Sequence, residues 1–134
     1  MRLSGRLAVL GAAAVAATAL TTYPAAAATP WSRSYGTATA AGTTEFVSDG
    51  RLGGTTTVSG ELTNTGADCY SIWVQYIYDL VPGPVVKHVT QCGAGSAPIN
   101  IKWTSTFLTP TQRMYVRLCK GQEKATDCAA PLIP

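Results

Sequence analysis

The sequence predicts an all-β protein, a small antiparallel sandwich of the immunoglobulin-like kind with two disulfides, preceded by a signal peptide. Stretches of alternating apolar and polar residues recur about every eight to twelve residues between Gly-, Thr- and Ser-rich turns, a spacing typical of sandwiches. No helical periodicity follows residue 28, and all four cysteines lie beyond it. A small barrel is the main alternative.

The N-terminus has the composition of an export signal. Arg2 and Arg6 precede an uncharged apolar run over 7–20, and an A-x-A cleavage pattern ends at Ala28. At about 1.5 Å per residue, this run falls short of a hydrocarbon core of about 30 Å, which argues against a membrane anchor. We therefore expect a signal peptide over 1–28, a mature chain that begins at Thr29, and a secreted, extracellular protein.

The mature chain has the length of one domain and is nearly neutral. Cleavage leaves 106 residues, and the loss of Arg2 and Arg6 lowers the formal net charge from +3 to +1. The remaining basic residues are scattered. We therefore expect neither nucleic acid nor, after cleavage, a membrane as a partner.

The even number of cysteines in an exported chain predicts a disulfide framework. Four cysteines allow three pairings, and closure of the shorter loops favours Cys69–Cys92 with Cys119–Cys128. Because no C-x-x-C spacing occurs, the sequence points neither to a zinc site nor to thiol redox chemistry, and we expect no metal and no cofactor.

The mature chain divides into an N-terminal arm over 29–45 and a sandwich domain over 46–134. Trp31, Arg33 and Tyr35 stand out in the arm, because aromatic residues and arginine dominate interface hot spots. Two interpretations stay open: the arm folds back onto its own domain, or it pairs with the sheet edge of a partner. On the second, deletion of 29–44 leaves folding intact and removes partner binding.

Alternation and turn residues place the strands. We predict strands near 45–47 and over 55–63, 70–78, 85–91, 99–103 and 113–119. The stretch 70–78 is apolar on both faces, which indicates a central strand covered on two sides. Pro82 and Pro84 should break the chain after it, and the tail 129–134 should fray.

No residue pattern indicates catalysis, so we expect a protein that is not an enzyme. His88 is the only histidine and lies in a strand pattern, where an outward polar position explains it; Asp79 and Glu61 fit solvated strand edges better than a carboxylate pair. A further stripe of Arg113, Tyr115 and Arg117 is consistent with either a solvated outer face or a binding surface.

Four segments carry a family resemblance. They are Gly60-Glu61-Leu62 with Asn64-Thr65-Gly66, Cys69-Tyr70-Ser71-Ile72-Trp73, Gln91-Cys92-Gly93, and Val116-Arg117-Leu118-Cys119-Lys120-Gly121. From about Thr55 to Cys128 the chain resembles small secreted β-sandwich proteins of filamentous actinobacteria, some of which are similar to the adaptor subunits of umbrella toxin particles. The resemblance implies a protein-binding module whose partners are other secreted proteins, namely a toxin stalk and lectin-like subunits.

Two other secreted classes have a similar size. A small-molecule carrier resembling the neocarzinostatin apoprotein is also an immunoglobulin-like sandwich with two disulfides, but its disulfides close short loops. A protease inhibitor resembling the subtilisin-inhibitor family needs an exposed loop supported by a disulfide, and 120–127 is the candidate here.

Overall fold

The computed structural model of the protein describes residues 27–50, 53–105 and 113–134, which form two packed antiparallel sheets. Its strands are β1 (Thr29–Tyr35), β2 (Ala38–Ser48), β3 (Gly54–Asn64), β4 (Cys69–Tyr78), β5 (Val81–Cys92), β6 (Gly95–Ser105) and β7 (Arg113–Lys120). One sheet has the order β1-β2-β3-β6, and the other has the order β5-β4-β7. The predicted all-β sandwich is confirmed. The signal peptide falls almost wholly on 1–26, outside the described residues, and stays a prediction.

The chain builds the two sheets alternately. It forms a meander from β1 to β3, crosses to the other sheet for the β4–β5 hairpin, returns beside β3 as β6, and crosses again to place β7 beside β4. The buried apolar core between the sheets consists of Trp31, Ala38, Ala40, Val58, Leu62, Tyr70, Ile72, Val74, Ile99, Ile101, Met114, Val116 and Leu118. Each Leu, Ile or Val buried in this way stabilises the fold by about 1.5–3 kcal/mol.

The predicted arm over 29–45 folds back onto its own domain, the first of the two interpretations, because these residues form β1 and most of β2. β1 pairs with β2 from Thr29↔Thr44 to Tyr35↔Ala38, and Gly36 makes the reversal with a φ of +56°. Trp31 lies opposite Gly42, which in turn lies opposite Gly60. The two glycines place no side chain beside the indole, and Trp31 is buried in the core at 7% exposure.

Prolines occur in three of the four outermost strands of the two sheets. β1 contains Pro30, β6 contains Pro98 and β5 contains Pro82 and Pro84, whereas β2, β3, β4 and β7 contain none. A proline has no N–H to donate, so it is tolerated where one side of the strand has no neighbour. For this reason Pro82 and Pro84 do not break the chain as predicted; the turn comes earlier, and β5 already begins at Val81.

The C-terminal tail, predicted to fray, covers the free edge of β7. Leu132 and Val116 exchange two backbone hydrogen bonds of 2.8 and 2.9 Å, and Ala129 N donates to Leu118 O at 2.9 Å. The tail is held because Cys128 is bonded to Cys119. Its own outer side is again interrupted by a proline, Pro131.

Both predicted disulfides, Cys69–Cys92 and Cys119–Cys128, are confirmed. Each joins residues that lie directly opposite each other in an antiparallel pair. The described ranges contain no helix long and apolar enough to cross a membrane.

Candidate functional site

The end of the sandwich that carries both disulfides is organised around the buried side chain of Asn64. Its Nδ2 donates to the backbone oxygens of Gly66, Asp68 and Gly93 at 3.3, 2.7 and 3.0 Å. Its Oδ1 accepts from Thr37 Oγ1 at 2.7 Å and from Gly66 N at 3.0 Å. One amide thereby connects three chain reversals, those after β1, β3 and β5. We call this region, made of 36–37, 64–69, 92–95 and 119–128, the stapled end.

Two tyrosines tie the sheets together at the stapled end. Tyr70 of β4 accepts a hydrogen bond from Thr37 N at 3.2 Å, and its hydroxyl lies where a Cβ on Gly36 would stand. Tyr35 of β1 donates to Asp127, and this hydrogen bond raises the pKa of Tyr35. An exposed ion pair of 2.8 Å between Lys120 and Asp68 adds little stability, because water screens it.

The opposite end of the sandwich carries a cluster of aromatic rings. Tyr76 packs against Trp103 with ring centroids 5.3 Å apart, and Tyr78 meets Trp103 edge-on at 6.1 Å. Burial raises the pKa of Tyr76 above its ordinary value. We call this region the aromatic end; it consists of Phe46, Val47, Tyr76, Tyr78, Leu80, Val81, Trp103 and Ile133.

Large apolar side chains reach solvent mainly at the aromatic end. Of the seven that are exposed among the described residues, only Val86 lies elsewhere. The extreme case is Leu80, 78% exposed at the tip of the β4–β5 hairpin. Asp79 and Leu80 form the turn with φ values of 47° and 69°. This left-handed conformation favours glycine or asparagine and is strained for leucine.

A cavity of about 170 Å³ opens beside Trp103 at the aromatic end. It is lined by Thr56, Trp103, Arg113, Met114, Ile133 and Pro134. Engineered apolar cavities of about 150 Å³ bind benzene, whereas ligand pockets usually measure about 300–1,000 Å³. The cavity therefore has room for one apolar side chain and not for the larger ligand of a carrier.

The aromatic end presents mainly aromatic and aliphatic side chains to solvent. Among the described residues that line the cavity, Arg113 is the one with an ionisable side chain. His88 lies at a β-bulge opposite Trp73, exposed, with its pKa lowered by desolvation. The structure does not bring Glu61 and Asp79 together, because Glu61 lies in mid-β3 of one sheet and Asp79 in the β4–β5 turn of the other.

Trp31, Arg33 and Tyr35, predicted to bind a partner, lie on the inward face of β1. Trp31 is buried and Tyr35 is engaged with Asp127, while Arg33 between them is half-buried. In this arrangement Trp31 stabilises the protein's own core and is not available as an exposed anchor.

The aromatic end was missed by sequence reasoning because its members come from distant segments. Each apolar residue in an alternating strand has the pattern of a core residue, and nothing in alternation tells where the partner sheet ends. One signal was available: Asp79-Leu80 stands between two strands where a two-residue hairpin turn usually has Asn-Gly or Asp-Gly.

Compared with protein-family models, curated proteins and solved structures, the chain matches none of them. The likeness to secreted adaptor proteins therefore stays a prediction from the residues that carry it.

Proposed function

We propose that this protein is a secreted, non-enzymatic binding module that holds another secreted protein through its aromatic end. The observation that carries the proposal is Leu80, a large apolar side chain exposed at a hairpin tip in a strained conformation. A strained residue persists when something other than its own stability retains it. Contact with a partner would give Leu80 the burial that its own fold does not provide.

The aromatic residues at the same end of the sandwich as Leu80 have the composition of an interface centre. Trp103, Tyr76 and Tyr78 belong to the residue types that contribute most to hot spots, and their rings already contact one another. The adjacent cavity fits a single apolar side chain from the partner. Such a pairing of a protruding leucine with a receiving cavity gives a partner two anchors at one end of the sandwich.

Edge pairing is a weaker route to a partner. The edge strands β1, β5 and β6 carry prolines, which interrupt the row of donors that an added strand would use, and the C-terminal tail covers the free edge of β7. We therefore place the contact at the aromatic end rather than at the edge of β1. In line with the resemblance, the proposed partners are other secreted proteins, including a toxin stalk or a lectin-like subunit.

Affinity capture with matched variants tests this proposal. Tagged mature protein is incubated with the culture medium of the organism that secretes it, and captured proteins are identified by mass spectrometry. Leu80→Gly removes the exposed side chain and relieves the turn, so it should fold well and capture at least about tenfold less partner, the loss expected for one hot-spot residue. The control, Val86→Thr, changes an exposed apolar residue outside the aromatic end and should capture within about twofold of the wild type.

Three results would overturn the proposal. Capture of the same protein by Leu80→Gly and by the wild type would exclude the aromatic end. A co-purifying small molecule with no captured protein would favour the carrier class. Nanomolar inhibition of a serine protease, lost on substitution within 120–127, would favour the inhibitor class.

A further inference from the structure

The outer face of the β5-β4-β7 sheet has a composition unlike the rest of the surface. Trp73 in the central strand lies directly between Lys87 of β5 and Arg117 of β7. Neighbouring strands are about 4.8 Å apart, so the backbones of Lys87 and Arg117 lie about 10 Å from each other, one on either side of Trp73. The Lys87 ammonium lies 5.8 Å from the centre of the Trp73 ring.

The charge on this sheet has one sign. β4, β5 and β7 together contain Lys87, Arg113, Arg117 and Lys120 and no Asp or Glu, whereas the other sheet contains two basic and two acidic residues. Lys120 is paired with Asp68. Lys87 and Arg117, by contrast, donate to the uncharged oxygens of Gln122 and Gln75, both at 2.9 Å.

Part of this face is apolar and is only partly shielded from solvent. Near the stapled end Ser71 is fully buried and donates to Gly121 O at 2.6 Å. Further along β4, Trp73 and Ile77 are only half-buried, although a central strand covered on two sides was predicted. Tyr115 of β7 is half-buried beside them. The stripe of Arg113, Tyr115 and Arg117 thus belongs to a larger surface that combines cations with partly exposed aromatic rings.

We infer that this outer face is a second docking surface, for an acidic segment of a partner protein. Carboxylates would meet Lys87, Arg117 and Arg113, and an apolar or aromatic side chain between the carboxylates would cover Trp73 and Ile77. Arginine and tryptophan are the residue types that form such centres, and opposite charge directs the encounter. The mature net charge of +1 predicts no general attraction for anions, so the attraction is confined to this face.

The inference stands apart from the proposed function. The aromatic end is a set of strand ends and turns, while this surface is a sheet face whose neighbour on the stapled-end side is the loop 121–127. The acidic side chains of that loop are Glu123, which is exposed, and Asp127, which accepts from Tyr35. A module with two surfaces of different chemistry can hold two partners at once, and either surface can be lost without the other.

Peptide titration on the intact mature protein tests the second surface. The probe is a fluorescent decapeptide in which glutamate alternates with tyrosine, measured by anisotropy at low salt. Lys87→Glu and Arg117→Glu, neither of which touches the cavity of the aromatic end, should each weaken binding about tenfold, since each replaces an attraction by a repulsion. The control, Lys102→Glu, makes the same change of charge on an exposed residue of the other sheet and should alter binding less than about twofold.

The outcomes separate the partner classes. Loss confined to Lys87→Glu and Arg117→Glu, together with no binding of a lysine–tyrosine decapeptide, supports the inference. Absence of binding to the glutamate peptide, or an equal loss with Lys102→Glu, overturns it. Tighter binding of polygalacturonate than of the glutamate peptide also overturns it and assigns the face to acidic glycans. Thermal unfolding of each variant checks that the fold is retained.

Discussion

The stapled end and the aromatic end close the same two sheets with different interactions. Around Asn64, three chain reversals share hydrogen bonds, and both disulfides lie in the same region. At the aromatic end, rings contact rings and leucine and valine side chains face water. The difference teaches that one strongly bonded end is enough to align the sheets of a small sandwich. The other end is then free to carry apolar side chains whose burial depends on a partner.

The largest effect is expected for Asn64→Ala, which removes the side chain at the centre of the hydrogen bonds of the stapled end. The substitution removes five hydrogen bonds and leaves buried backbone groups of three turns without partners. At about 1 kcal/mol per lost hydrogen bond, it should lower the free energy of unfolding by about 5 kcal/mol. Urea denaturation measures this loss. Asn100→Ala, on an exposed position of β6, should cost less than about 0.5 kcal/mol. Equal losses in the two variants would show that the stapled end does not depend on Asn64.

Removal of either disulfide should cause the next largest loss in the free energy of unfolding. Replacing both Cys69 and Cys92 by serine opens a loop with a sequence separation of 23, and replacing Cys119 and Cys128 opens one of 9. Chain entropy predicts a loss of about 3.4 kcal/mol for the first pair and about 2.7 kcal/mol for the second. Hydrogen exchange should quicken at the stapled end before it quickens at the aromatic end. The reverse order would mean that the aromatic end is the stronger closure.

A substitution at the aromatic end should raise, rather than lower, the free energy of unfolding. Leu80→Gly relieves a positive φ without removing a buried side chain, so we expect the free energy of unfolding to rise by about 1 kcal/mol. Leu80→Ala shortens the side chain but retains the strain, and it should leave stability nearly unchanged. Thermal and urea unfolding distinguish the two variants. If Leu80→Gly were destabilising, the leucine would contribute to folding, and its role as a partner contact would lose its main support.

The smallest effect concerns alkaline pH. The pKa of Tyr35 is raised above 10.0 by its hydrogen bond to Asp127, and that of Lys120 above 10.5 by Asp68. A raised folded-state pKa means that the stabilisation is complete below the unfolded value and is lost as the pH rises through the folded value. Stability should therefore fall above about pH 10, and Tyr35→Phe should fall less steeply.

The aromatic end supplies the control for the alkaline experiment. Burial raises the pKa of Tyr76 as well, so this group contributes a decline of the same sign at the other end of the sandwich. Unfolding free energies of Tyr35→Phe and Tyr76→Phe between pH 8 and pH 11 separate the two contributions. An unchanged alkaline slope in Tyr35→Phe would show that its contact with Asp127 does not stabilise the folded state.

Much of the fold followed from local patterns, and the exceptions have identifiable causes. β3, β4 and β7 lie where alternation predicted strands, because a half-buried strand shows its period directly in the sequence. The first hairpin, β1 and β2, did not follow from alternation. Its small residues, such as Ala38, Ala40 and Gly42, lack the apolar bulk on which such a pattern depends. Pro82 and Pro84 were interpreted as breaks, since nothing local states that β5 is an edge strand.

The candidate sites were less predictable than the fold. Trp31 has the composition of a hot spot but the position of a core residue, because the pairing of β1 with β2 places its indole on the inner face of the sheet. Nothing in the local alternation of residues marks Leu80 as part of a binding site. Its significance depends on its backbone conformation and on the rings of Tyr76, Tyr78 and Trp103, which arrive from β4 and β6.

By itself, the sequence determined the all-β class, the two disulfides and most of the strand positions. These depend on interactions between residues near in the chain: alternation over a few residues, turns, and cysteines whose pairing closes short loops. Only the tertiary structure decided which ends of strands meet, which strands lie at an edge and which faces stay uncovered. Those properties arise from contacts between segments far apart in the chain. The aromatic end and the cationic sheet face therefore became visible only after the two sheets were placed together.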